Sequence, residues 1–167
     1  MEILFGGVSA WVVAVWVHEL GHYLAARKFG CPPDFIQIGA PAVLSLRIAG
    51  VLHKFGPFLL VGFVKEASCP VRLRERACVA LAGPLFNLAL GLPCLFLARA
   101  SGSLWLSAFT VFNLLGVVCN LIPVPPSDGW RIAELTARSK GQRLSRGFGI
   151  FAALLFYGGM ALLVVAG

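Results

Sequence analysis

The segment His18-Glu19-Leu20-Gly21-His22 sets two imidazoles four residues apart, with a carboxylate beside the first. A helix turns once every 3.6 residues, so His18 and His22 project from one face and can hold a single Zn²⁺. Glu19 then stands where a carboxylate can take a proton from a water at that ion. The pentapeptide sits inside an apolar run over residues 3–26, long enough to cross a bilayer. Two imidazoles and a carboxylate are costly to bury in lipid, so they must face protein, water or metal. The chemistry suggested is metal-dependent hydrolysis carried out inside a membrane.

A catalytic zinc takes three protein ligands and keeps a fourth position for water. An extended motif with a third histidine further along the same helix fails, because Ala25 and Lys28 occupy the relevant places. With Glu2 expected on the wrong side of the membrane, the remaining donors are His53, Asp34, Glu66, Glu75, Asp128 and Glu134. Asp128 follows Pro123-Val124-Pro125-Pro126-Ser127, a rigid turn at the end of an apolar segment, and rigidity is what a ligand position needs. His53 is the rival ligand; otherwise it reads as a solvated loop histidine beside Lys54.

The elements that must position these groups are mostly membrane helices. The chain has 167 residues, 59% hydrophobic and 13% charged, with a mean hydropathy of +0.87, far more apolar than a soluble domain. Segments 3–26, 77–98, 104–122 and 148–166 are each long enough to span. The fold expected is an all-α membrane protein of four transmembrane helices, forming a single intramembrane domain over 1–167. The first segment lacks a basic start and is interrupted by the polar cluster, so it reads as a retained span and not a signal peptide.

The net charge of +7 is not a nucleic-acid signature. Of 14 Lys and Arg residues, only Arg99 falls between the second and third segments; the others lie between the first and second or the third and fourth. In a four-span chain those two connections share a side, which the positive-inside rule makes cytoplasmic, with both termini outside. The expected partners are the lipid bilayer and a transmembrane protein substrate, with no nucleic acid. Five cysteines lack any metal-knuckle spacing and read as free thiols or small buried residues.

Between the first two segments, residues 33–65 are too polar and too broken by Gly and Pro to span, yet too apolar for a free loop. Short strands are expected at 35–38, 43–48 and 58–61, as a membrane-associated hairpin or small sheet, because unpaired backbone cannot face lipid. The second segment carries Asn87 after Ala82-Gly83-Pro84; its amide suits interhelical hydrogen bonding or a role near the site.

Together these motifs resemble the site-2 protease family of intramembrane zinc metalloproteases. The resemblance rests on HExxH at His18–His22, on Asn120, Pro123, Asp128 and Gly129 as Asn-x-x-Pro…Asp-Gly, and on Ala82-Gly83-Pro84…Asn87. Gly62-Phe63-Val64-Lys65 resembles the family's membrane-hairpin motif, departing from it at Val61, where members often have a second glycine. It covers roughly residues 10–130. It implies a three-helix core, one Zn²⁺ held by His18, His22 and Asp128, Glu19 as base, and cleavage of membrane-embedded helices near the cytoplasmic face. Gly62, Asn87 and Asn120 are the candidate substrate-binding residues. The short connection at 99–103 leaves no room for a PDZ module and nothing follows the fourth segment, so a minimal form without PDZ or CBS modules is expected. The alternatives are a catalytically silent relative that binds a partner helix, and a metal carrier, which needs ligands repeated along several spans.

Overall fold

The computed structural model describes residues 2–64, 72–145, 147 and 149–155. The described elements are four helices, α1 (Glu2–Lys28), α2 (Leu73–Ser101), α3 (Leu104–Leu121) and α4 (Asp128–Ser139), and a sheet of β1 (Phe35–Ala40), β2 (Leu44–Ile48), β3 (Val51–Phe55) and β4 (Phe58–Val64), which lies between α1 and α2 in chain order and packs on α1. Residues 149–155 are also helical. Most of the fourth expected span, with Lys65, Glu66 and Cys69, lies outside the described residues.

Helix ends follow local chemistry. α1 closes with basic Arg27 and Lys28 in its last turn and Gly30 at φ 75°, while Cys31 N–H bonds back to the Ala26 carbonyl at 3.0 Å. Ser103 caps α3 by accepting from Leu106 N–H, and the prolines after Ile122 stop that helix. Ser127 both donates to the Ile122 carbonyl at 2.5 Å and accepts from Trp130 N–H at 3.1 Å, so one hydroxyl fastens the start of α4 to the end of α3.

α1, α2 and α3 pack on one another through small residues. A methyl built on Gly21 would stand 2.6 Å from the Ala82 carbonyl oxygen, so the α1 and α2 backbones approach as only glycine allows. Between α2 and α3 the contact is reciprocal. Asn87 of α2 packs on Gly116 of α3, and Asn113 of α3 packs on Gly91 of α2. The polar groups Asn87, Thr110 and Asn113 are buried inside, while Leu85, Leu92, Phe96, Leu97, Val111, Leu115 and Val118 point outward. That inversion suits helices surrounded by lipid.

α2 and α3 are long and apolar enough to cross a membrane. Among the described residues the protein is mostly helical, with two candidate spans and one small mixed sheet. α2 extends past its expected bounds at both ends, to Leu73 and Ser101.

The sheet order is β2-β3-β1-β4, with β1 and β3 parallel and the other pairs antiparallel. β3 was not expected, because His53 and Lys54 mask its alternation. Its signal is the turn Ala49-Gly50, both at positive φ (49° and 81°), which forms a two-residue hairpin with β2. A second departure is α4, whose amphipathic face buries Leu135 and Ala137. A third is Cys31, which is disulfide-bonded, whereas Cys78, Cys94 and Cys119 are free as expected.

Candidate metal centre

Four elements converge on the HExxH turn of α1. His18 Nε2 lies 3.0 Å from His22 Nε2 and 3.0 Å from Asp128 Oδ2, and His22 Nε2 lies 3.3 Å from that same oxygen. All three side chains are buried. Ligands at zinc distances of 2.0–2.1 Å in a tetrahedron stand about 3.3 Å from one another, so this triangle fits one zinc ion. Metal ligation requires both Nε2 atoms unprotonated, and a cation between them would then offset the repulsion of lone pairs brought to 3.0 Å.

The second ring nitrogen of His22 settles its tautomer. Nδ1 donates to the Val79 carbonyl of α2 at 2.7 Å, leaving the Nε2 lone pair directed at the metal position. No such partner meets His18 Nδ1 among the described residues. Asp128 is the first residue of α4, where the helix dipole favours an anion. Burial opposes ionisation of its carboxyl, but the adjoining His18 and His22 imidazoles outweigh that cost and hold its pKa at about 2.

Glu19 is buried beside the triad and faces β4. A methyl on Gly62 would stand 2.6 Å from Glu19 Oε1, so the strand backbone passes directly against the carboxylate. On one side of this contact lies a cavity of about 440 Å³, lined by Trp11, Val15, His18, Glu19, Asn87, Phe112 and Asn120 among others. On the other side a smaller cavity of about 140 Å³ reaches His22, Pro33, Asp128 and Arg131. The larger pocket is mainly apolar, and the smaller one adds the charged groups Asp128 and Arg131.

The structure thus gathers His18, Glu19, His22 and Asp128, and it places Gly62, Asn87 and Asn120 on the wall of the larger cavity. The Asn87 Oδ1 atom is buried without a partner among the described residues, whereas Asn120 Nδ2 donates to the Gly116 carbonyl at 3.0 Å. His53 is not in the donor group. Nor is it solvated: it is 3% exposed on β3, with its ring near that of Trp16.

Sequence reasoning assigned no role at the site to three residues that shape the centre. Gly83 abuts both imidazoles, Val79 orients His22 through its backbone, and Trp11 donates its indole N–H to the Leu59 carbonyl of β4 at 2.7 Å. Only Gly83 carried a signal, as the small residue before Pro84 in a helix that must approach α1 closely.

Residues 7–111 match the family described as Peptidase family M50. The chain is 33% identical over 146 residues to "Putative zinc metalloprotease YwhC" of Bacillus subtilis, covering 74% of this chain and 65% of that protein. It is 34% identical over 123 residues to "Putative zinc metalloprotease MJ0611" of Methanocaldococcus jannaschii, covering 70% and 63%. It is 28% identical over 160 residues to "Putative zinc metalloprotease Rip2" of Mycobacterium tuberculosis, covering 81% and 59%. The chain therefore spans about three fifths of the length of these relatives. Donor chemistry and kinship agree on zinc as the cofactor. The chain belongs to peptidase family M50, the site-2 protease family of membrane zinc metalloproteases.

Proposed function

We propose that the protein is a zinc endopeptidase that cleaves transmembrane segments of other membrane proteins within the bilayer, near its cytoplasmic face. The observation that carries this reading is a buried His18–His22–Asp128 triangle, with Glu19 beside it, opening onto an apolar cavity bounded by a sheet edge. In this reading His18, His22 and Asp128 hold the ion. Bound zinc supplies a Lewis acid and brings the pKa of water toward neutrality. Glu19 accepts the proton of the attacking water and later delivers it to the leaving amine. Asn87 and Asn120 offer amide groups to the substrate backbone, and Gly62 leaves room for that backbone to approach β4.

A helical substrate hides its peptide bonds in internal hydrogen bonds, so it must be locally extended before it can be cut. β4 is a terminal strand of the sheet and lies against Glu19, so its edge can take the extended segment by strand addition.

The sheet's far end suits a position at membrane depth. β4 meets α1 at Trp11 and again at Glu19, so it runs alongside that helix. The connections Ala40-Pro41-Ala42-Val43 and Phe55-Gly56-Pro57-Phe58 carry no charge. Of their N–H groups, Val43 donates to the Phe55 carbonyl at 2.8 Å and Gly56 to the Ile38 carbonyl at 2.9 Å, and the two prolines have none to satisfy. Lys54 leans back toward the other end of the sheet, its Nζ 3.8 Å from the Phe35 ring centroid.

Within this proposal α1 is a third span, segment 148–166 a fourth, and the basic connections are cytoplasmic. The test is purified protein in proteoliposomes with a single-span substrate. Fragments that appear with wild type and not with Glu19→Gln support the reading; a zinc-loaded wild type that cuts none of a panel of single-span substrates refutes it. A metal carrier is disfavoured because, among the described residues, His18, His22 and Asp128 form the one group able to hold a metal.

A further inference from the structure

Trp11 lies seven residues before His18, two turns away on the same face of α1, and its two polar and apolar contacts go to different elements. Its indole N–H donates to the Leu59 carbonyl at 2.7 Å, and its ring meets Phe112 of α3 edge to face, with centroids 5.3 Å apart. Both rings line the larger cavity, at the end away from the metal donors. The hydrogen bond ties β4 to the site helix three residues before Gly62, the position that rests on Glu19.

We propose that Trp11 is a register-setting residue: its indole occupies the Leu59 carbonyl and so ends the stretch of β4 that an incoming strand can pair with. The inference rests on strand addition at β4 as read above. A strand rises about 3.3 Å per residue, so the paired segment beyond the cut is limited to about three residues, roughly 10 Å. The zinc position is fixed by α1, and the ladder is fixed by its stop, so together they select which peptide bond is presented. With the stop removed, the substrate can slip. The favoured slip is two residues, because a shift of one turns every side chain to the opposite face and a shift of two restores both the facing and the hydrogen-bond pattern.

The experiment maps cut sites by mass spectrometry on one single-span substrate in proteoliposomes, with zinc content measured on each enzyme. Trp11→Phe keeps an aromatic ring against Phe112 and deletes the N–H; Phe112→Leu keeps the N–H and deletes the ring pair. Trp11→Phe is expected to retain zinc and to yield a second cut two residues from the wild-type bond, whereas Phe112→Leu keeps the wild-type bond. A single unchanged bond in Trp11→Phe overturns the proposal. So does the same shift in Phe112→Leu, which would assign the effect to packing, and so does loss of zinc from Trp11→Phe, which would make the indole a structural prop. If the wild type itself cuts nothing, it is the protease reading that fails.

Discussion

Gly83 of α2 lies directly over the two imidazoles of α1: a methyl built on its Cα would run into Nε2 of His22 and stand 2.7 Å from Nε2 of His18. The two ligand atoms are thus enclosed by backbone from a second helix, and the same helix supplies the Val79 carbonyl that orients His22. Ala82, the residue before it, brings its carbonyl against Gly21. The metal position exists because α1 and α2 pack at glycine distance.

Gly83→Ala should therefore lose zinc although it removes no ligand. The expected drop in affinity is about 10- to 100-fold, the range seen when groups supporting a ligand are disturbed. Gly6→Ala is the control, since nothing lies within 4 Å of a methyl there. Competition with a chelator of known affinity measures both. Equal zinc retention in the two variants would mean that α2 can shift without cost.

Glu19→Gln should keep zinc and the fold while cleavage falls by about 10²- to 10⁴-fold, because the change deletes a base and spares the ligands. Single-turnover cleavage of the proteoliposome substrate checks this alongside metal content. Near-wild-type rates in the zinc-loaded variant would assign proton transfer to another group.

Asp128→Ala should strip the metal, and His53→Ala should leave it in place. Asp128 Oδ2 is within 3.3 Å of both histidine nitrogens, whereas His53 stands on β3 against Trp16. Metal analysis after dialysis separates the two, and the reverse pattern would replace the ligand set. The His53 variant is expected to lower thermal stability, as it empties part of a buried site.

Gly116→Ala should slow cleavage without loss of zinc. A methyl there would stand 2.5 Å from Asn87 Nδ2 and would push that amide from its place on the cavity wall. If displacement of Asn87 is the cause, Gly116→Ala on an Asn87→Ala background should add little further loss. Additive losses in the double variant would locate the effect in helix packing.

A tag at Met1 should be reached only from the outer side of the membrane if the basic connections are cytoplasmic. Protease protection of tagged protein in sealed vesicles of known orientation decides it, and a cytoplasmic tag would reverse the proposed orientation.

The paired imidazoles of His18 and His22 were legible in the sequence because helical geometry is local: four residues on one helix fix a face whatever the rest of the chain does. The same held for the ends of α3, set by Ser103 and the prolines after Ile122, and for three of the four strands, bracketed by glycine and proline. Asp128 was legible only as a candidate. It lies 110 residues from His18, and its carboxylate reaches the imidazoles through the Ser127 clasp and α4, neither of which follows from a count of donors. β3 escaped because its value to the fold is pairing on both sides, with β1 and β2, and cross-strand partners leave no mark on the strand's own composition. Burial of His53, the disulfide at Cys31 and the Asn87–Gly116 and Asn113–Gly91 contacts were likewise decided by which surfaces meet. Nearest-neighbour chemistry writes itself into sequence; contact between distant backbones does so only as an occasional glycine, which becomes meaningful once the facing atom is known.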